Sequence, residues 1–236
     1  MISPHYDDVI GSCAGIIMRD KKLVTTTILT VFSDLELCNI SEFAYHLHND
    51  VWKDVSKGTR KEENILACRC VDAMYEDLHY LDAIYRKDND GWLYPREGDI
   101  FKGLHMSDKQ IMESIKSKLL KMIENYDEVF FPLGLGGHVD HVIMSKIGLD
   151  FCELNSSIFF YKDFSYEEST TDTQDLFLTK KVYLSKEEQM AKEEAVSKYN
   201  TQINMLFGCK EKIRGFYEKY YKDEKGFYEI YFKRKK

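Results

Sequence analysis

Residues 127–141 read DEVFFPLGLGGHVDH. Asp127–Phe131 is short, apolar and rich in strand-forming residues, as a buried strand should be. Pro132–Gly137 holds one proline and three glycines, the chemistry of a turn. A helix is expected from about His138 to Leu154, and Ile158–Tyr161 (IFFY) reads as the next strand. Strand, glycine turn, helix and strand in that order is the unit from which parallel sheets are built.

The same alternation extends upstream. Asp8–Asp20 places Ile10, Ala14, Ile17 and Met18 on one side of a helix, and Leu23–Phe32 (LVTTTILTVF) is a β-branched strand. Residues 34–57 are irregular or weakly helical. Thr59–Tyr75 shows an amphipathic pattern, and His79–Ile84 suits a short strand. Residues 85–106, with Gly91, Pro95, Gly98 and Gly103, form a long loop, and Ser107-Asp108-Lys109-Gln110 has the form of a capping box opening a helix. Downstream lie a strand (Leu176–Leu184), a helix (Lys186–Tyr199), a second helix near Glu211–Tyr221 and a last strand (Gly226–Phe232). The expected fold is α/β: a Rossmann-like, mostly parallel sheet flanked by helices in three layers, with a C-terminal strand/helix extension. Residues 1–236 are expected to form one domain.

Composition narrows the function classes. The net charge of −7 disfavours nucleic acid as a partner. The basic Lys233-Arg234-Lys235-Lys236 is expected to be a solvated tail, and the tyrosines from Tyr217 to Tyr231 to serve packing. The cysteines Cys13, Cys38, Cys68, Cys70, Cys152 and Cys209 include no CxxC pair, so most are expected to be reduced core thiols of a cytoplasmic protein. No apolar run reaches the length of a membrane span, and no signal peptide is expected. Only Met1, Ile2 and Ser3 precede His5, so the first strand is either very short or begins upstream of Met1.

Two segments carry the chemistry: Ser3-Pro4-His5-Tyr6-Asp7-Asp8 and Gly136-Gly137-His138-Val139-Asp140-His141. Each follows a strand and opens a helix, which puts both on the rim where α/β sheets bind ligands. Together they offer three histidines and three aspartates. A catalytic zinc takes three nitrogen or oxygen ligands and leaves a position for water, and a further carboxylate must stay off the metal to accept a proton. Adjacent Asp7 and Asp8 can divide those tasks. Taken singly, the first segment reads equally well as a capped helix start, and the second as two surface histidines. Their conjunction favours metal-assisted hydrolysis.

With these motifs the chain resembles the PIG-L/LmbE-like zinc-dependent de-N-acetylases, whose motifs [AS]-H-P-D-D-E and H-x-D-H or H-x-x-H stand here as SPHYDDV and GGHVDHV. Thr59–Glu63 is similar to the family's R-x-x-E segment, and YLDAIYR (Tyr80–Arg86) to its short post-strand segment near the substrate. FYKDFSYEE (Phe160–Glu168) and KEEAVSKYNTQI (Lys192–Ile203) match later family segments. Tyr6 stands where proline is usual, and Val9 where glutamate is common.

The resemblance implies His5, Asp8 and His141 as ligands of zinc or another divalent metal, and Asp7 as general base. It implies a protonated His138 that polarises the acetyl carbonyl and holds the oxyanion, with Asp140 orienting a histidine. Arg60 and Asp82 match positions near the sugar. The plain alternative for Arg60 is an ion pair with Glu63 at a solvated helix start. The implied activity is hydrolytic removal of an acetyl group from an N-acetylglucosamine-type amino sugar or its conjugate, with no partner needed beyond that small molecule and a homo-oligomer allowed. Two other readings stay open: an amidase acting on a larger acyl group or a thiol-sugar conjugate, and a non-catalytic metal-dependent sugar-binding protein. The segments 34–57 and 86–106 are expected to border the pocket.

Overall fold

The structure is a computed structural model and describes residues 1–52, 56–164 and 176–235. Its first sheet is parallel, in the order β1 (Ile2–Ser3), β2 (Thr27–Thr30), β3 (Met74–Asp77), with β2 in the middle. After a small hairpin, β4 (Lys87–Asp88) and β5 (Gly91–Trp92), the chain builds β6 (Val129–Pro132), which pairs in parallel with β7 (Ile158–Tyr161). The C-terminal part adds β8 (Phe177–Tyr183), β9 (Lys222–Asp223) and β10 (Gly226–Arg234). Strand β10 lies antiparallel between β7 and β8, with β9 paired to its start. Strand β1 runs beside β6, and the Tyr161 hydroxyl, at the end of β7, donates to the Ile2 carbonyl at 2.9 Å.

The helices form two outer layers. On one face α1 (Asp8–Asp20) and α3 (Lys57–Cys70) pack with α6 (Lys186–Val196), α7 (Asn200–Phe207) and α8 (Ile213–Tyr220) around Ile10, Ile17, Val71 and Tyr217. On the other, α4 (Asp108–Ile123) and α5 (Val139–Cys152) cover Phe131 and Phe160. A third cluster, including Leu35, Trp52, Ile84 and Ile100, caps the carboxyl ends of the strands with α2 (Glu42–His46) and the π-helical turn Leu47–Trp52. The expected three-layer α/β fold with its C-terminal extension is the one found.

The first helix is bound into this frame by a buried charge pair. The Glu229 carboxylate accepts from the backbone N–H groups of Gly15 (2.9 Å) and Ile16 (3.0 Å). The carbonyls one turn earlier, of Gly11 and Ser12, accept from the Tyr217 hydroxyl (2.9 Å) and Lys192 Nζ (3.1 Å). Lys192 and Glu229 themselves pair at 2.7 Å, both fully enclosed. Breaking one member of such a pair strands the other's charge in the core.

Several elements depart from the sequence reading. Strand β2 is shorter than expected at its start: Leu23 and Val24 are exposed, and only the stretch flanked by β1 and β3 is paired. Helix α3 stops at Cys70 because Asp72 takes a left-handed conformation (φ +60°), which turns the chain into β3. That edge strand is largely exposed and carries no alternating apolar pattern, so the helical period masked it. The expected strand at His79–Ile84 is reduced to a single bridge, Asp34 with Leu81. The hairpin β4–β5 and helix α7 were not expected.

The expected capping box at Ser107 is not formed. The Ser107 hydroxyl donates to Asp88 at 2.6 Å, and Asp108 is buried against Arg86. A true capping box stands at Ser185 and Glu188, opening α6. Lys233 and Arg234 belong to β10 rather than to a solvated tail. All six cysteines are free, but only Cys13 and Cys68 are core residues. Residues 165–168 of the FYKDFSYEE segment lie outside the described residues.

Gly148 gives a test of the packing between α5 and the sheet. A glycine inside a helix is normally improved by alanine, by about 1 kcal/mol. A Cβ here would sit 2.7 Å from Phe131 Cγ and 2.8 Å from Phe160 Cε1, both enclosed rings. Gly148→Ala should therefore destabilise the fold by about 1–3 kcal/mol. Urea denaturation checks this; a stabilised variant would mean the helix–sheet gap has slack.

Candidate metal centre

The carboxyl ends of three strands deliver the site. After β1 the chain turns through Pro4-His5-Tyr6-Asp7 into α1. Ser3 Oγ donates to the His5 carbonyl (2.5 Å) and accepts from Val9 N–H (3.2 Å), so the serine holds the first helical turn. Asp8 Oδ2 accepts from His5 N–H at 2.7 Å, while Asp7 makes no side-chain capping bond. The capping account of the acidic pair thus fails for Asp7. After β6, the turn to α5 needs glycine: Gly134, Gly136 and Gly137 all have φ between 77° and 82°. This turn places His138 as the N-cap of α5, its Nδ1 accepting from Asp140 N–H at 3.2 Å. After β7 comes Asp163, fully buried.

His5, Asp8 and His141 each bring one ligand atom within 4.8 Å of the others. His5 Nδ1 lies 3.4 Å and His141 Nε2 3.3 Å from the same Asp8 oxygen, Oδ2. Zinc bonds of about 2.0–2.1 Å at tetrahedral angles separate ligand atoms by roughly 3.3–3.4 Å. The donor set and its spacing therefore fit such an ion.

The far side of each imidazole is held by a carboxylate. His5 Nε2 is 3.0 Å from Asp140 Oδ2 and 3.5 Å from Asp82, and His141 Nδ1 is 2.6 Å from Asp163 Oδ1. Asp163 Oδ2 also accepts from the N–H groups of Gly134 (2.8 Å) and Leu135 (3.1 Å). Carboxylates in this position fix ring orientation and raise ligand basicity.

His5, His138 and Asp140 form a second close group. It is the poorer cation site. Asp140 Oδ1 is paired with Arg86 Nη1 at 2.7 Å, and Oδ2 accepts from Ala83 N–H at 3.1 Å besides meeting His5. A cation there would have to displace a guanidinium. Arg86 in turn reaches Asp108 at 3.1 Å, and Asp108 accepts from the Tyr94 hydroxyl.

Electrostatics divides the two adjacent aspartates. Burial and the neighbouring Asp8 push the Asp7 carboxyl above its ordinary value. Asp8 is also buried, but His141 and His5 outweigh that and hold it well below the carboxylate range. Burial, then the charge on His5, pushes His138 well below the usual histidine value. A ring whose Nδ1 accepts a backbone N–H carries its neutral-state proton on Nε2. Burial and the His5 charge both favour the neutral form of His138 over the protonated form that the sequence reading expected.

Arg60 and Asp82 border the same cavity, of about 170 Å³, with Asp7 and His138. Arg60 is buried, its guanidinium 5.0 Å from the Trp52 ring and 6.0 Å from that of Tyr6. Glu63 accepts from Thr201 N–H and hydroxyl (2.9 and 2.7 Å), an arrangement unlike the alternative Arg60–Glu63 pair. Segments 34–57 and 86–106 do border the cavity, through Phe43, Leu47 and Trp52 and through Glu97, Ile100 and Phe101. A larger depression of about 1010 Å³ near Tyr80 and Gln110 contains none of the histidines or aspartates of the two motifs. Sequence reasoning missed Asp163, Arg86 and Asp108 as parts of the site. Asp163 had a usable signal: it is a carboxylate two residues beyond a strand already read as Ile158–Tyr161.

Comparison with known proteins agrees with this architecture. Over 185 residues the chain is 30% identical to a 2'-N-acetylparomamine deacetylase of Niallia circulans, covering 70% of this chain and 66% of that protein. It is also 30% identical over 147 residues to a 2'-N-acetylparomamine deacetylase of Streptomyces fradiae, covering 61% of this chain and 48% of that one. The chain thus spans just under two thirds of one curated relative and about half of the other. The fold is similar to that of a zinc-inhibited form of teicoplanin deacetylase, with a TM-score of 0.84 at 21% identity over 99% of this chain and 97% of that one. The family model of the PIG-L group, described as GlcNAc-PI de-N-acetylase, matches residues 1–152, which hold both histidine–aspartate motifs, and the chain belongs to that family.

Proposed function

We propose that the chain, acting as one domain, is a zinc-dependent hydrolase that removes the acetyl group from an N-acetylated amino sugar or its conjugate. The observation that carries this reading is Asp7: a buried carboxyl with no capping bond, facing the cavity beside the His5–Asp8–His141 group. Pure binding has no use for such a base. The two curated relatives named for deacetylation of an amino sugar support the substrate class. Six free cysteines accord with a cytoplasmic setting. Among the described residues no helix is long and apolar enough to cross a membrane.

His5, Asp8 and His141 would hold the metal. When bound, the ion supplies positive charge that polarises the amide carbonyl and acidifies water. Asp7 accepts the proton of the attacking water, and its raised affinity for protons makes it a better base than an ordinary carboxylate. The Nε2–H of neutral His138 donates to the carbonyl oxygen as negative charge develops there. Asp7 then passes its proton to the leaving amine. Arg60 and Asp82 orient the sugar. Asp140 and Asp163 keep the two ligand imidazoles turned the right way.

Asp7→Asn and Asp8→Asn should differ in kind. Asp8→Asn, like His141→Ala, should lose metal. Asp7→Asn should keep it and lose turnover by roughly 10²–10⁴-fold. Metal analysis and acetate release from N-acetylglucosamine conjugates measure both. Near-normal turnover in metal-loaded Asp7→Asn would remove the base from the mechanism.

Asp163→Asn should weaken metal binding by about 10–100-fold while leaving the fold in place. A chelator competition titration reads this directly, and an unchanged affinity would reduce Asp163 to a turn-forming residue.

Metal affinity should also depend on pH. Burial lowers the proton affinity of His141, but Asp8 and Asp163 outweigh it and raise the ring to about 9. Below that value a proton occupies the ligand nitrogen and must leave before a metal binds. Affinity should therefore rise as pH rises through about 9. Proton release on metal uptake, followed by calorimetry in buffers of different ionisation heat, gives an independent reading.

A further inference from the structure

We infer that Tyr199 is a positioning residue for the base: through the Tyr6 carbonyl, its hydroxyl holds the peptide that aims Asp7 into the cavity. This rests on the hydrolase reading and adds what keeps the base of that reading in place.

A carboxylate that takes a proton from water has to keep its oxygens free. Asp7 does so: among the described residues no other residue donates to its carboxylate, and it makes no capping bond. Its direction is therefore set through its backbone. Asp8 is the contrast. Its Oδ2 accepts His5 N–H at 2.7 Å and lies 3.3 Å from His141 Nε2, and the next residue, Val9, is tied to Ser3 Oγ at 3.2 Å. Asp8 has holds of its own, and Asp7 has none.

The backbone at Asp7 is fixed from both sides. Its carbonyl accepts from Gly11 N–H at 2.8 Å, a bond that belongs to the opening of α1. The Tyr6 carbonyl, one residue earlier, lies before the helix and accepts from the Tyr199 hydroxyl at 2.8 Å. That carbonyl is part of the peptide plane leading into Asp7, so holding it limits the rotation that would swing the Asp7 side chain. Position 6 is also where proline is usual, and its ring would lock φ. Tyr6 leaves that freedom to be removed by contacts.

Tyr199 is itself well held. It is fully enclosed at the junction of α6 and α7, and two consecutive residues of α3 grip that junction. Glu63 accepts from Thr201, and the Asn64 side chain meets the Tyr199 hydroxyl at 2.9 Å. The hydroxyl has one proton for two neighbours. A carbonyl can only accept, whereas an amide can turn over and donate, so the proton falls to the Tyr6 carbonyl. The Asn64 nitrogen, buried without a hydrogen-bond partner, becomes the donor to Tyr199 once the amide is turned. Tyr199 lies outside the lining of the cavity, so its effect on a substrate runs through Asp7.

The test is Tyr199→Phe, which keeps the ring and removes the hydroxyl, assayed in the zinc-loaded protein on the methyl β-glycoside of N-acetylglucosamine. Metal content and KM should stay those of the parent, while kcat falls by about 10–100-fold. Added to Asp7→Asn, the same change should lower turnover no further, because two residues acting through one group are not additive. An unchanged kcat, a fall that tracks lost metal, or an equal fall in the Asp7→Asn background would overturn the inference while the hydrolase reading stands. If the parent protein hydrolyses no N-acetylated sugar, the hydrolase reading fails, and crystal structures of the parent and Tyr199→Phe decide the inference. The Asp7 carboxylate should then be displaced or spread over several positions, with His5, Asp8 and His141 in place. An unmoved Asp7 would overturn it.

Discussion

The centre of the molecule depends on one buried carboxylate. Asp140 has no solvent exposure, and its charge is tolerable only because Arg86 sits 2.7 Å away. Burial alone would push Asp140 towards neutrality, and the guanidinium reverses that. With one oxygen it holds Arg86. With the other it meets the His5 ring and the Ala83 N–H, so helix α5, the first turn of the chain and the loop after β3 share a single anchor. Arg86 is itself sandwiched near the Phe32 and Tyr94 rings, at 5.3 and 5.5 Å. Through Asp108 the same network reaches the start of α4. The polar layer above the sheet is therefore one connected structure, and partial satisfaction of it would be costlier than an apolar core.

Asp7 and Asp8 show how neighbours in sequence acquire opposite chemistry. Both are buried to a similar degree, so desolvation does not separate them. Direction does. Asp8 points between two imidazoles and accepts the His5 N–H, all of which favour its charged form. Asp7 points into the cavity, where Asp8 is its strongest charged neighbour and disfavours its ionisation. Pairs of titratable groups driven apart in this way are how a single site keeps an acceptor for protons beside an anchor for charge.

Much of this was legible in the sequence. The order of strands and helices and the two histidine–aspartate motifs follow from local patterning, since buried elements carry strong apolar periods. What was lost was lost for local reasons. Strand β3 faces water and has no pattern, existing because β2 offers it a register. Ser107 and Asp108 have the spacing of a cap, yet both side chains are claimed by residues 19 and 22 positions away, Asp88 and Arg86. Asp163 and Arg86 act on the site through tertiary contacts that no spacing rule encodes. The pull on His138 towards its neutral form was likewise invisible, because it comes from burial and from charges brought from elsewhere in the chain.

The clamp on α1 has a consequence for how the protein comes into being. The helix that carries Asp8 is secured by Lys192 and Glu229, across sequence separations of 180 and 214 residues. During synthesis these partners arrive long after the helix they secure. Until then the polar backbone groups of α1 lack these partners, and Asp8 likewise meets His141 only once that residue has been made. Contacts so distant in sequence are slow to form, because the entropy of closing long loops precedes the gain from the contact. The segment that holds His5 and Asp8 thus takes up its final arrangement only after residues far downstream of it have been made.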